Sequence, residues 1–142
     1  MEERRPYHRW RVPWGMHVVR KYFKGDFRIY VEEPIFDERL LPKEFDPRFG
    51  PGLFARLMPR ADVILEYKDR LVLLEFSDRG RVSDVYKLVG YTDAIRHEKV
   101  RTRWRDLPIE PVFVTPMRDE RVVELCRELG IRHIVEPYAG WE

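Results

Sequence analysis

The sequence predicts an α/β fold in which one mixed β-sheet carries helices on both faces. Two strand-like runs, Ala61 to Tyr67 and Leu71 to Ser77, are separated only by Lys68, Asp69 and Arg70, which marks an antiparallel hairpin. The second run contains Leu71-Val72-Leu73-Leu74, apolar on both faces, as expected of a strand covered on both sides near the middle of a sheet. Helical periodicities alternate with the remaining strand patterns, which adds crossover connections to the hairpin. With 142 residues, 44% of them hydrophobic, the chain can bury one core, and a single domain over 1–142 is expected.

The elements follow in order. From Pro13 to Lys24, Trp14, Val18, Val19, Tyr22 and Phe23 recur at helical spacing until Gly25 stops the pattern. Phe27, Ile29 and Val31 then alternate with Arg28, Tyr30 and Glu32, a half-buried strand that Pro34 confines to an edge or an end. The stretch from Asp37 to Pro59 holds four prolines, Pro42, Pro47, Pro51 and Pro59, and reads as a long loop with at most a short helix near Leu53 to Met58. After the hairpin and a turn at Gly80, Val85, Leu88, Val89, Thr92 and Ile95 fall on one face of a helix. Pro111 to Thr115 is a buried strand, and Asp119 to Leu129 an amphipathic helix with Val122, Cys126 and Leu129 inward. Gly130 stops that helix, and Ile131 to Val135 is a last short strand.

Composition narrows the function classes. Charged residues make up 37% of the chain, yet 13% aromatics give it too apolar a mix for disorder. Cys126 is the only cysteine, which excludes an internal disulfide and a cysteine-rich zinc site. No apolar run reaches membrane-spanning length, so the expectation is a soluble, cytoplasmic protein with no membrane partner. The absence of Asn and Gln, beside abundant Arg, Glu and Pro, is the depletion expected of a hyperthermophile.

The hairpin brings two acids into one register. If it turns tightly at Lys68-Asp69, Leu65 lies opposite Val72 and Asp62 opposite Glu75, so two carboxylates share one face. Like charges directly opposite each other repel, and a hard divalent cation, Mg²⁺ or Mn²⁺, relieves that repulsion. In a looser turn Asp62 and Glu75 point apart and pair with Arg60 or Arg79 instead.

The stretch from Arg60 to Tyr91 resembles the catalytic core of the PD-(D/E)XK nuclease superfamily, most closely its RecB-like branch. That pattern has an Asp opening one strand, an Asp or Glu near the end of the next with Lys two residues later, and a helix with Gln and, four residues on, Tyr. Asp62, Glu75 and Tyr91 match it; Ser77 stands at the lysine position and Lys87 at the glutamine position. The resemblance implies a restriction-endonuclease-like fold and a metal-dependent nuclease acting on DNA. In it Asp62, Glu75 and the Phe76 carbonyl would hold Mg²⁺ or Mn²⁺, and Tyr91 would support the site. Lys87 and Tyr91 share one helix face, so either Lys87 takes over the displaced lysine's catalytic role, or Ser77 marks a site that no longer cleaves. His17 resembles the helix histidine that some RecB-like nucleases use as a further metal ligand; a lone helix histidine is otherwise a surface or capping residue.

Two stretches interleave guanidinium groups with aromatic faces, as nucleic-acid grooves do: Arg9, Trp10 and Arg11 near the start, and Arg101, Arg103, Trp104 and Arg105 later. DNA is the first expected partner, with RNA and a homodimer as further expectations. The alternative to a nuclease is a noncatalytic nucleic-acid-binding or assembly protein on the same fold.

Overall fold

The computed structural model describes residues 4–41 and 55–138, with the side chains of residues 4–12 outside that description. Helix α1 (Arg4–Tyr22) leads into β1 (Arg28–Pro34). Strands β2 (Arg60–Glu66) and β3 (Leu71–Phe76) precede α2 (Val82–Ile95). Strand β4 (Ile109–Thr115), α3 (Glu120–Leu129) and β5 (Arg132–Val135) complete the order.

The five strands lie side by side in chain order, β1-β2-β3-β4-β5. Strands β1, β2 and β3 pair antiparallel, while β3, β4 and β5 pair parallel. The hairpin turns on two residues, since Glu66 pairs with Leu71 and the Tyr67 amide donates to the Arg70 carbonyl at 2.9 Å. Every residue of β3 is buried, as expected for the central strand. The proline-ended strand, β1, lies at the edge.

Side-chain alternation splits the core into two layers. Val63, Leu65, Val72, Leu74, Phe76, Val112, Val114 and Ile134 pack against Trp14, Val18, Val19 and Phe23 of the α1 segment. Ile64, Leu71, Leu73 and Phe113 pack on the other face against Val85, Leu88 and Ile95 of α2 and Val122 and Cys126 of α3. Helices therefore cover both faces of the sheet. No helix among the described residues is long and apolar enough to cross a membrane.

Two element readings need correction, and a third, the long loop, is only partly described. Helix α1 begins well before Pro13, which sits inside it; the ring forfeits a ladder hydrogen bond, while burial of Trp14, Val18 and Val19 downstream holds the helix on the sheet. Val89 and Leu129, read as inward, are about 40% exposed; Ala94 and Ile131 fill the corresponding core. Of the long loop, Glu38–Leu40 forms a 3₁₀ turn and residues 55–57 are helical, while 42–54 lie outside the described residues.

Candidate active site

Each candidate side chain is placed by a local feature of the sheet. The β2–β3 ladder ends at Val63 opposite Leu74, so one further step sets Asp62 opposite Glu75. There the backbone pairing stops and a side chain replaces it: the Phe76 amide donates to Asp62 Oδ2 at 2.9 Å. A charge-assisted bond of this kind fixes the carboxylate against the last residue of β3.

Phe76 separates two clefts. Asp62 borders a small one of about 20 Å³ with Gly15, Met16, Val31, Glu32, Val63 and Phe76. Helix α1 approaches closely here because Gly15 has no side chain; a Cβ would sit 3.3 Å from the Phe76 ring. Glu75, itself buried, borders a polar pocket of about 320 Å³ with Phe76, Asp78, Arg79, Arg81, Asp84 and Lys87. The two acids thus open onto neighbouring clefts, where spacing alone implied one shared face. The pocket lies beyond the carboxyl end of β3, which pairs parallel with β4; in open α/β sheets, ligands bind in crevices at this end of the strands.

Ser77, at the position of the family's lysine, is buried. Its hydroxyl donates to Asp84 Oδ2 at 2.7 Å and accepts from the amides of Gly80 and Arg81. Gly80 turns the chain there at φ +62, a left-handed geometry that favours glycine. Lys87 Nζ lies 3.5 Å from Asp84 Oδ1, and Tyr91 packs partly buried against the α2-side core. Asp84, which lines the pocket between Glu75 and Lys87, was missed in the sequence; its spacing three residues before Lys87 on one helix face was the available signal.

His17 is turned elsewhere. Its Nε2 lies 3.0 Å from Glu136 Oε2, and Lys21 and Tyr22 donate to the other oxygen of that carboxylate at 3.0 and 2.8 Å. The group joins α1 to the end of β5 and is not part of the pocket beside Glu75.

The second basic-aromatic stretch also departs from its reading. Trp104 is fully buried, so it offers no face to a nucleic-acid base. Arg101 is stacked 3.9 Å from that indole and held by Glu33 at 2.7 Å and Glu98 at 2.9 Å. Arg103 binds Glu66 through two nitrogens, at 2.6 and 3.1 Å, and holds that carboxyl at a pKa of about 2. Trp104 and Arg101 are thus engaged inside the fold, while Arg103, though paired with Glu66, keeps more than half of its side chain exposed. Arg105 is exposed, and the side chains of Arg9, Trp10 and Arg11 lie outside the described residues.

The overall geometry resembles a crystal structure of a repair endonuclease from Pyrococcus abyssi, with a TM-score of 0.54 and 16% sequence identity. The fold is restriction-endonuclease-like. The match covers 86% of this chain and 45% of that one, so the chain spans about half of the endonuclease's length. No protein-family model matches the sequence, and no curated protein does.

The donors at the strand ends are all oxygen, from Asp62, Glu75 and the Phe76 backbone, which suits a hard cation such as Mg²⁺ or Mn²⁺. Among the described residues no group of three His, Cys, Asp or Glu side chains is placed to hold a metal. A cation shared by Asp62 and Glu75 would have to sit at the Phe76 strand end that borders both clefts, completing its shell with water and substrate oxygen, a mode Mg²⁺ commonly adopts.

Proposed function

We propose that this chain is a metal-dependent nuclease that hydrolyses phosphodiester bonds in DNA. The observation that carries the reading is the end of the β2–β3 ladder, where Asp62 stands one step beyond the last pair, bonded to Phe76 and adjacent in register to Glu75. Its pattern resembles the PD-(D/E)XK core of the RecB-like branch, and the likeness to a repair endonuclease supports the same chemistry. Asp62 and Glu75, which border neighbouring clefts on either side of Phe76, would hold the cation together with the Phe76 carbonyl. A bound divalent cation supplies an acidified water and neutralises charge on the scissile phosphate. Arg79, Arg81 and Lys87 line the Glu75 pocket and draw the phosphate backbone toward it. Lys87 places its ammonium where charge develops on the phosphate, and Tyr91 packs behind the same helix face.

The test is cleavage of plasmid and single-stranded DNA, with RNA as a parallel substrate, at elevated temperature with Mg²⁺ or Mn²⁺. Wild-type protein is expected to cleave DNA only with metal, and Asp62→Ala to leave no activity. Equal cleavage by the two proteins would sink the assignment.

A second reading is favoured by one feature: the hydroxyl at Ser77 is buried and engaged at all three bonds, leaving that position without a cation. On this reading the chain binds nucleic acid or assembles with other proteins and cleaves nothing. The nuclease reading and the nucleic-acid-binding form of the second reading both predict salt-sensitive DNA binding. Arg105→Ala should flatten the dependence of log K on log salt by about one unit for a single lost phosphate contact. Arg103→Ala should change the slope little, because its guanidinium is already engaged by Glu66. Fluorescence anisotropy across a salt series measures both.

A further inference from the structure

The Ser77 hydroxyl joins the end of β3 to the start of α2. It accepts from the Gly80 amide at 3.0 Å and the Arg81 amide at 3.3 Å, and its proton goes to Asp84 Oδ2 at 2.7 Å. That bond ties one oxygen of Asp84 to a fully buried strand end. The other oxygen, Oδ1, faces Lys87 Nζ at 3.5 Å, three residues along the helix. Asp84 and Lys87 both line the pocket that holds Glu75.

A lysine ammonium on a helix surface samples many rotamers, and pairing with an equally mobile acid restrains it weakly. Here the acid is already immobilised from the strand side. Its carboxylate offers Lys87 one fixed partner, and that partner stands at the pocket wall.

We infer that Asp84 is a positioning residue that, anchored by Ser77, holds the Lys87 ammonium over the pocket lined by Glu75. The inference rests on the nuclease reading above and deepens it. The serine that replaces the family's lysine thereby holds the acid that aims the lysine on the helix. The competing role for Asp84 is purely structural, an acid in the first turn of α2 that favours the helix N-terminus.

Asp84→Asn separates the two, because the amide keeps a carbonyl oxygen for the Ser77 hydroxyl and removes the charge facing Lys87. In the full chain, kcat on duplex DNA should fall about 10-fold with KM unchanged, the pattern of an interaction exerted in the transition state. In a Lys87→Ala background the same substitution should lower kcat no further, since coupled groups are non-additive. Carbon-13 relaxation of the lysine Cε methylenes gives a readout independent of catalysis. Lys87 should be more ordered than the exposed Lys68 in wild-type protein and indistinguishable from it in Asp84→Asn. Additive losses in the double variant, or a wild-type Lys87 as mobile as Lys68, would overturn the inference. If wild-type protein cleaves no DNA, the nuclease reading falls, while the relaxation comparison still supports or refutes the hold of Asp84 on Lys87.

Discussion

Replacing Glu136 by glutamine is expected to lower stability at pH 7 by about 1 to 2 kcal/mol, because the half-exposed Lys21 leaves the clamp partly screened by solvent, and to weaken the acid sensitivity of folding. Burial alone would raise this carboxyl's pKa, but donation from Tyr22, Lys21 and His17 outweighs it and holds the group at about 2. The unfolded chain leaves a glutamate near its usual value of about 4.3. A folded value below the unfolded one contributes stability that is fully present above pH 4 to 5 and disappears as pH falls toward 2. About half of the contribution is therefore gone by pH 3. Guanidinium unfolding of both proteins at pH 7 and pH 3 measures this, and the gap between them should shrink at the lower pH. Glu66, held at about 2 first by Arg103 and also by Tyr30, keeps its own acid response in the variant. Equal stability of the two proteins at pH 7 would mean the clamp contributes nothing. The same residue also receives the Trp14 indole on its backbone carbonyl at 2.9 Å, so the clamp fixes the part of α1 that brings Gly15 and Met16 beside Asp62.

The hairpin was legible because two independent signals agreed. Period-two runs flanked a polar turn, and the doubly apolar Leu71 to Leu74 demanded cover on both faces; the resulting register sets Asp62 next to Glu75. Helix positions were legible only to the nearest face. Val89 and Leu129 fit the periodic stripe but lie in an open groove with Pro111 of β4 that leaves each about 40% exposed, and that depends on inter-element packing rather than local sequence. The ion pairs within the basic cluster were not legible for a related reason. Arg101 and Arg103 looked like a solvent-facing groove because their acidic partners, Glu33 and Glu66, lie far away in sequence. Ion pairs across such separations leave no local pattern. The pairing of His17 with Glu136, 119 residues later, left no local signal either.

Glu75→Gln should lower metal-dependent cleavage by more than about 100-fold, because even outer partners of metal ligands are worth 10- to 100-fold in affinity or activity. The substitution keeps side-chain volume at a buried position, so the core of β3 should stay packed. Removing a charge adjacent in register to Asp62 relieves repulsion, and the metal-free variant should melt at or above the wild-type temperature. Metal provides the decisive second measurement. A ligand that binds only the folded state at 100 times its Kd stabilises it by about 2.7 kcal/mol. Wild-type melting should therefore rise on titration with Mn²⁺ or Mg²⁺, while Glu75→Gln should show little rise at the same concentrations. A variant that still gains the full metal-induced stability would place the cation elsewhere, and one that unfolds without metal would make Glu75 a structural residue of β3. Loss of cleavage with the metal response removed and the metal-free fold intact is the outcome that only a metal-binding Glu75 produces.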